Sequence, residues 1–393
     1  MLPADMARFR RAEAAFRESC LRAGYSEVRT PTLEYLYLFT SAGTLTPGML
    51  RRVYSFLDWD GWSGERVVLK PDATIPVARL YLEQMDKEKP ARLFYVTNTF
   101  IFEETGAKPR ERWQCGAELI GAGSPLADAD LAMLSLGVLR ALGIKDLELR
   151  LSHAGLIRSA LSGLGLNPEE QHDLFDRILD KGAEALSGIA ADSPRGLEAV
   201  RLLFATKGES AGYLKNMRSL SSGSAEYRAV LDDFIRVFEL VEALGVPCSI
   251  DMTAGKGFEY YTGLIFRINA GKANIGGGGR YDNLISVMGG GPTPAAGFAL
   301  YMDRLMSLQS ADGLEARSSV AVSCAREMFR AGAALVAELR QSGIAAELAL
   351  GSPSGCDWTV EVEAPGRFIL SAGAGEKSIC ASAADIKKKL GYT

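Results

Sequence analysis

Residues 274–305 read NIGGGGRYDNLISVMGGGPTPAAGFALYMDRL, and the reading of the four glycines at 276–279 decides the fold. Glycine contributes no side-chain packing and loses more conformational entropy on ordering than any other residue. A run of four marks either a place where something approaches the backbone closely or a bulged edge strand. A P-loop is excluded on spacing, because no Gly-Lys-Ser/Thr ending follows. The run leads through a Gly- and Pro-rich loop to a strand and helix at about 295–308.

Three further segments carry more polar chemistry than a core requires. GKGFEYYTGLIFRI (255–268) flanks Lys256 with glycines and pairs Tyr260 with Tyr261, so a strand there sends one phenol to the core and the other toward a pocket. In TFIFEETGAKPRERWQCGAELIG (99–121), alternation puts Gln114, Gly116 and Glu118 on one face and Cys115, Ala117 and Leu119 on the other. Gln and Glu on a shared face suit a cation, an imidazole N–H or an ammonium, or form a solvated edge. LKPDATIPVAR (69–79) sets Asp72 and Thr74 between Lys70 and Arg79 where strand gives way to helix, so both residues are either helix caps or site residues.

The remaining pattern supplies the frame. Phe9, Ala12, Phe16 and Cys20 share one face of a first helix, capped by Asp5 and ended by Gly24. Residues 53–69 read as a hairpin turning at Asp60-Gly61. A helix from Thr74, strands at 92–103 and 112–121, a helix at 124–143 and a strand at 145–152 follow. Residues 167–244 are almost wholly helical, and strands resume at 247–252 and 260–269. SADGLEARSS (310–319) reads as a linker, followed by alternating strands and a helix at 326–342. The expected architecture is α+β: an antiparallel-rich core over 1–309 with a helical insertion at about 167–244, then a small α/β domain over 318–393.

Composition narrows the function classes. The chain has 393 residues, 47% hydrophobic and 23% charged, with net charge -4, which argues against a chain-wide basic surface. From Glu315 onward nine Lys/Arg balance nine Asp/Glu, and the one basic cluster, Lys387-Lys388-Lys389, reads as a solvated last turn. The six cysteines show no C-x-x-C spacing and lie far from both histidines, so no metal site is expected and a reducing compartment is. With no apolar signal core and no 18-residue apolar run, a cytoplasmic location without a membrane partner is expected.

Taken in order, these segments resemble class II aminoacyl-tRNA synthetases, and the histidyl type in particular, over about residues 1–308. GYSEVRTPTLE (24–34) is similar to motif 1, the 99–121 segment to motif 2, and GFALYMDRL (297–305) to motif 3 with its arginine at Arg304. GFEYYTGLIF, GGGGRYDNL and the following GG-x-P-x-P-A-x-GF pattern are similar to the histidyl branch. The resemblance implies a histidine pocket. Asp72 falls where a carboxylate receives the substrate's α-ammonium, with Thr74 beside it. Gln114 and Glu118 fall at further amino-acid contacts, and Tyr260 or Tyr261 surrounds the imidazole with Tyr281. Asp72 departs from the glutamate usual in synthetases.

The departures on the nucleotide side are larger. Where motif 2 carries an F-R-x-E pattern this chain reads Phe100-Ile101-Phe102-Glu103, and an apolar side chain cannot stabilise the charge that develops on the α-phosphate. The branch's second arginine is replaced by Lys256, and Lys108 and Arg110 are counted as the only cations near the shortened motif 2 loop. Glu103, Lys256 and Arg304 remain as a residual ATP site. This combination resembles the regulatory subunits of ATP phosphoribosyltransferase, synthetase paralogues without ligase activity. The resemblance implies a homodimer through the class II core, a short-form catalytic partner acting at the first step of histidine biosynthesis, and histidine as effector. It implies no catalytic residue, no cofactor and no tRNA. Sensing needs only differential binding between two states, not transition-state stabilisation. The alternative is a working histidine–tRNA ligase with an altered phosphate site, for which ATP and Mg would be required. A third reading is a synthetase-like protein that charges another acceptor or senses histidine alone.

Overall fold

A computed structural model of the chain describes residues 1–41, 50, 52–59, 64–85, 90–103, 109–186, 194–205, 207–220, 225–254, 261–309, 319–349, 351, 356–372 and 377–391. The chain divides into two compact units, Met1–Gln309 and Ser310–Thr393.

In the first unit, helix α1 (Pro3–Arg22) buries Phe9, Ala12, Phe16 and Cys20, the face read from their spacing. Its start corrects the expected cap. Pro3 opens the helix, where its missing N–H leaves nothing unpaired, and Asp5 sits in the first turn accepting the Leu2 N–H at 3.1 Å. Gly24, at φ +77°, releases the chain into β1 (Ser26–Glu27). Next come β2 (Leu33–Tyr35), the short α2 (Leu36–Ser41), and the antiparallel pair β3 (Ser55–Trp59) and β4 (Gly64–Leu69). The Asp60-Gly61 turn lies outside the described residues. Helix α3 (Thr74–Gln84) leads to β5 (Ala91–Phe100) and β6 (Glu111–Ile120), which pair antiparallel from Ala91↔Ile120 to Phe100↔Glu111.

Helix α4 (Pro125–Ala141) and β7 (Leu147–His153) precede a helical stretch: α5 (Ala154–Ser162), α6 (Pro168–Lys181), α7 (Pro194–Ala205), α8 (Ala211–Leu220) and α9 (Ala225–Glu242). The unit closes with β8 (Cys248–Ile250), β9 (Leu264–Ala270), β10 (Ala273–Arg280), the one-turn α10 (Leu284–Val287), β11 (Ala295–Tyr301) and α11 (Met302–Leu308). Eight strands form one sheet in the order β1-β5-β6-β11-β10-β9-β7-β8, antiparallel except where β1 meets β5 and β7 meets β8. One face, with Phe94, Cys115, Ala117, Phe266 and Phe298, packs on α1, α4 and the helical stretch. Each of these buried phenylalanines contributes about 1.5–3 kcal/mol by leaving water. The other face, with Leu93, Tyr95, Ile120 and Ile265, packs on α3 and the small sheet β2-β4-β3.

The glycine run resolves in favour of close approach. β10 is bulged between Asn274 and Gly276 yet lies between β9 and β11, not at an edge. What approaches is the sheet itself: a Cβ on Gly276 would meet the Ala299 carbonyl oxygen at 2.5 Å, and one on Gly277 the Phe266 carbonyl oxygen at 2.6 Å.

The second unit is a five-stranded sheet, β12 (Ser319–Cys324), β13 (Ala345–Leu348), β14 (Trp358–Ala364), β15 (Arg367–Ala372) and β16 (Lys377–Cys380), in the order β13-β12-β14-β15-β16. A 3-10 turn at Arg326–Met328 precedes helix α12 (Phe329–Gln341), so the expected single helix over 326–342 has a tighter first turn. Val320, Val322, Val360 and Leu370 pack against α12 and α13 (Ala383–Lys389) on one face. Among the described residues no helix covers the other face, where Glu347 pairs beside Ala321 and Glu361 beside Ser323 and Ile369. The expected linker lies almost wholly outside the described residues.

Candidate functional site

The site is built on glycines that make room for polar groups. On β6 and β11, Gly116 faces Ala299 and Glu118 faces Gly297. A Cβ on Gly116 would overlap the Tyr95 hydroxyl, and one on Gly297 would overlap the Glu118 carboxylate. Glu118 is 1% exposed, which overturns the solvated-edge reading of the Gln114/Glu118 face. Its Oε1 accepts the Thr74 hydroxyl at 2.9 Å and the Tyr95 hydroxyl at 3.2 Å, and its Oε2 accepts the Tyr281 hydroxyl. Burial pushes the Glu118 carboxyl up to about 8, against the three hydroxyls, and the charge of Asp72 adds to the rise.

Asp72 does both things the sequence left open. Its Oδ1 accepts the Ile75 N–H at 2.9 Å and caps the start of α3, while the carboxylate lines a cavity of about 1070 Å³. Burial raises its carboxyl above the usual range, opposed by the helix N–H groups. Thr74 turns its hydroxyl to Glu118 rather than to the helix end. The two flanking cations stand apart from the cavity wall. Lys70 is fully buried against Thr30, and Arg79 makes a two-point pair with Glu34 at 2.9 and 3.0 Å.

Gln114, Tyr261 and Tyr281 line the same cavity. Tyr261 precedes β9 instead of lying in it, so its direction is set by the loop and not by strand alternation. Tyr260, Lys256 and Lys108 lie outside the described residues. Along β6 the wall runs from Gln114 back through Arg112 to Glu111, while Glu118 lies buried farther along the same strand. Ile101 forms part of the wall, and Arg304, at the start of α11, reaches it as an exposed side chain.

Glu103 is not free. Arg52 and Arg112 both pair with its carboxylate, Arg112 at 2.5 Å. Arg110 donates to the Glu103 carbonyl at 2.9 Å and lies over the Phe102 ring. Arg112 corrects the count of loop cations, which had named Lys108 and Arg110 alone. The alternation that found Gln114 also points to Arg112 two residues earlier. Tyr95 was missed because its partner across the strands, Gly116, carries no side chain to signal the contact.

The family model for histidyl-tRNA synthetase matches residues 1–305. The chain belongs to the histidyl-tRNA synthetase family. Among its relatives in that family, it is 49% identical over 351 residues to an ATP phosphoribosyltransferase regulatory subunit of Dehalococcoides mccartyi, covering 88% of this chain and 85% of that one. A histidine–tRNA ligase of Methanocaldococcus jannaschii is 32% identical over 363 residues, covering 88% of this chain and 83% of the ligase. The class II synthetase fold is shown by solved structures. An ATP phosphoribosyltransferase regulatory subunit/histidyl-tRNA synthetase from Bacillus halodurans superposes with TM-score 0.76 at 24% identity, over 91% of this chain and 92% of that one. A histidyl-tRNA synthetase from Nostoc gives TM-score 0.77 at 20% identity, over 100% and 96%.

Proposed function

We propose that this chain is a non-catalytic regulatory subunit of ATP phosphoribosyltransferase that binds histidine in the cavity above Glu118. One observation carries the reading: among the described residues polar groups gather at one end of the cavity, while on the nucleotide side Ile101 is apolar and Glu103 is already paired. Asp72 offers a carboxylate for an α-ammonium, and Gln114, Tyr261 and Tyr281 surround space suited to an imidazole, with Glu118 buried behind the Thr74 and Tyr281 hydroxyls. Across the cavity, Ile101 stands where a guanidinium would meet the α-phosphate, and Glu103 is held by two arginines. Loss of one transition-state donor alone costs about 10²–10³ in rate.

In this reading the partner is the short-form catalytic subunit, and histidine is the effector that favours one assembly state over another. The relatives named as regulatory subunits support it at higher identity than the ligases do. A homodimer is supported by Leu33, Tyr35 and Phe56, exposed on one face of the small sheet next to the motif 1 segment. A cytoplasmic site of action fits the absence, among the described residues, of a helix long and apolar enough to cross a membrane. Glu347 and Glu361 on the uncovered sheet face of the second unit repel phosphate, which speaks against anticodon binding.

The ligase alternative draws on Arg112, a guanidinium in the cavity wall. Titration calorimetry with histidine and with ATP separately is expected to show histidine binding and no measurable ATP binding. Histidine- and ATP-dependent pyrophosphate exchange would return the ligase. Co-purification with the short catalytic subunit, and histidine inhibition of that assembly, separate a regulatory subunit from a free-standing histidine sensor.

A further inference from the structure

Behind the pocket, on the far face of the sheet, lies a buried charge cluster outside the cavity lining. Gly277 lines the cavity, so alternation along β10 turns Arg280 to the opposite face. Arg280 is 7% exposed. Its guanidinium grips both oxygens of Asp128, in the first turn of α4, at 2.8 and 3.2 Å. It also donates to Asp282 at 2.9 Å and to the Ala122 carbonyl at 3.1 Å. The Arg280 carbonyl receives the Thr262 N–H at 2.7 Å and the Thr262 hydroxyl at 3.2 Å. The Asp282 N–H closes the ring on that hydroxyl at 2.9 Å, and Arg158 holds the Thr262 carbonyl at 3.0 Å.

The two locked residues, Thr262 and Arg280, are the chain neighbours of two pocket tyrosines, Tyr261 and Tyr281. A buried ion pair adds little net stability over apolar residues of the same volume, so stability alone does not account for a guanidinium here. A planar fork supplies direction, and here its hydrogen bonds reach α4, the α4 approach and the residue after Tyr281. We propose that Arg280 is a positioning residue for the ligand pocket: its fork anchors the end of β10 to α4 through Asp128 and to Asp282, the Arg280 carbonyl and the Asp282 N–H of that anchored segment hold Thr262, and Tyr261 and Tyr281 are thereby aimed into the cavity. The ligand named for that cavity rests on the histidine reading; the aiming of the rings does not.

Arg280→Lys keeps the charge and removes the fork. In unligated protein with labelled tyrosine rings, the Tyr261 and Tyr281 resonances are assigned by their loss in Tyr261→Phe and Tyr281→Phe. Both are expected to shift or broaden in Arg280→Lys while the other tyrosines stay in place; unmoved signals overturn the proposal. Thr262→Val removes the hydroxyl bridge and leaves the ion pairs intact, so it serves if Arg280→Lys does not fold, and it is expected to move the Tyr261 signal. In histidine titrations Arg280→Lys is expected to weaken binding by about tenfold, with Arg280→Lys/Tyr281→Phe no weaker than the worse single variant. Fully additive losses also overturn it. If the unaltered chain binds no histidine, the ligand assignment fails, and the ring signals still decide the role of Arg280.

Discussion

A carboxyl buried beneath three hydroxyls releases its proton late, and the Glu118 carboxyl, raised to about 8 by burial, makes stability depend on pH. Its ordinary value is 4.5, so the folded chain holds this proton more tightly than the unfolded one. The resulting stabilisation is fully present below about 4.5, declines as pH rises and is gone above about 8, with a span on the order of 5 kcal/mol. The thermal midpoint of the natural chain is therefore expected to fall between pH 5 and pH 9 relative to Glu118→Gln; parallel curves would show that Glu118 is already ionised. Asp72 allows a cleaner separation, because asparagine caps a helix as well as aspartate does. Asp72→Asn is expected to weaken histidine binding by about tenfold or more, the worth of a charged hydrogen bond, with a neutral-pH melting midpoint no lower than that of the natural chain, since burial disfavours the Asp72 charge. At this scale the sequence was informative wherever side chains alternate: Gln114 and Glu118 declared a shared face. It was silent on Tyr95, whose contact is made across a glycine, and on the pairing of Glu103 with Arg52, fifty-one residues away.

Helices were legible because apolar residues recur at their own period, as in α1, and the β5–β6 pair because both strands alternate. β10 hid its place in the sheet. Glycines have no side chain to alternate, so a central strand and an edge strand look alike in sequence, and only the neighbouring carbonyls tell them apart. The same crowding makes the platform intolerant. A methyl at Gly297 would overlap the Glu118 carboxylate and come within 2.7 Å of the Ala117 carbonyl oxygen. Gly297→Ala is expected to cost about 1–3 kcal/mol of stability, read as a lower urea midpoint, and to reduce histidine affinity with it. A variant as stable as the natural chain would mean that the strands can separate there without loss.

Over the whole molecule, the pocket gathers residues from Asp72 to Tyr281, more than two hundred positions apart, and no local pattern encodes that convergence. The family resemblance supplied it; Asp72, Thr74, Gln114, Tyr261 and Tyr281 line one cavity, and Glu118 is buried behind the Thr74 and Tyr281 hydroxyls. Every described lining residue belongs to Met1–Gln309. A chain ending at Gln309 is therefore expected to bind histidine within about twofold of the full chain, as sites without shared partners behave independently; a larger loss in calorimetry would tie the second unit to the pocket. The glycine platform has one more consequence. Adjacent backbones fill the space beside each β10 glycine, whereas Asp72, Gln114 and Tyr261 overhang the cavity from a helix start, a strand and a loop. Choice of guest can thus be rewritten from above, one overhanging group at a time, on a foundation that admits no edits.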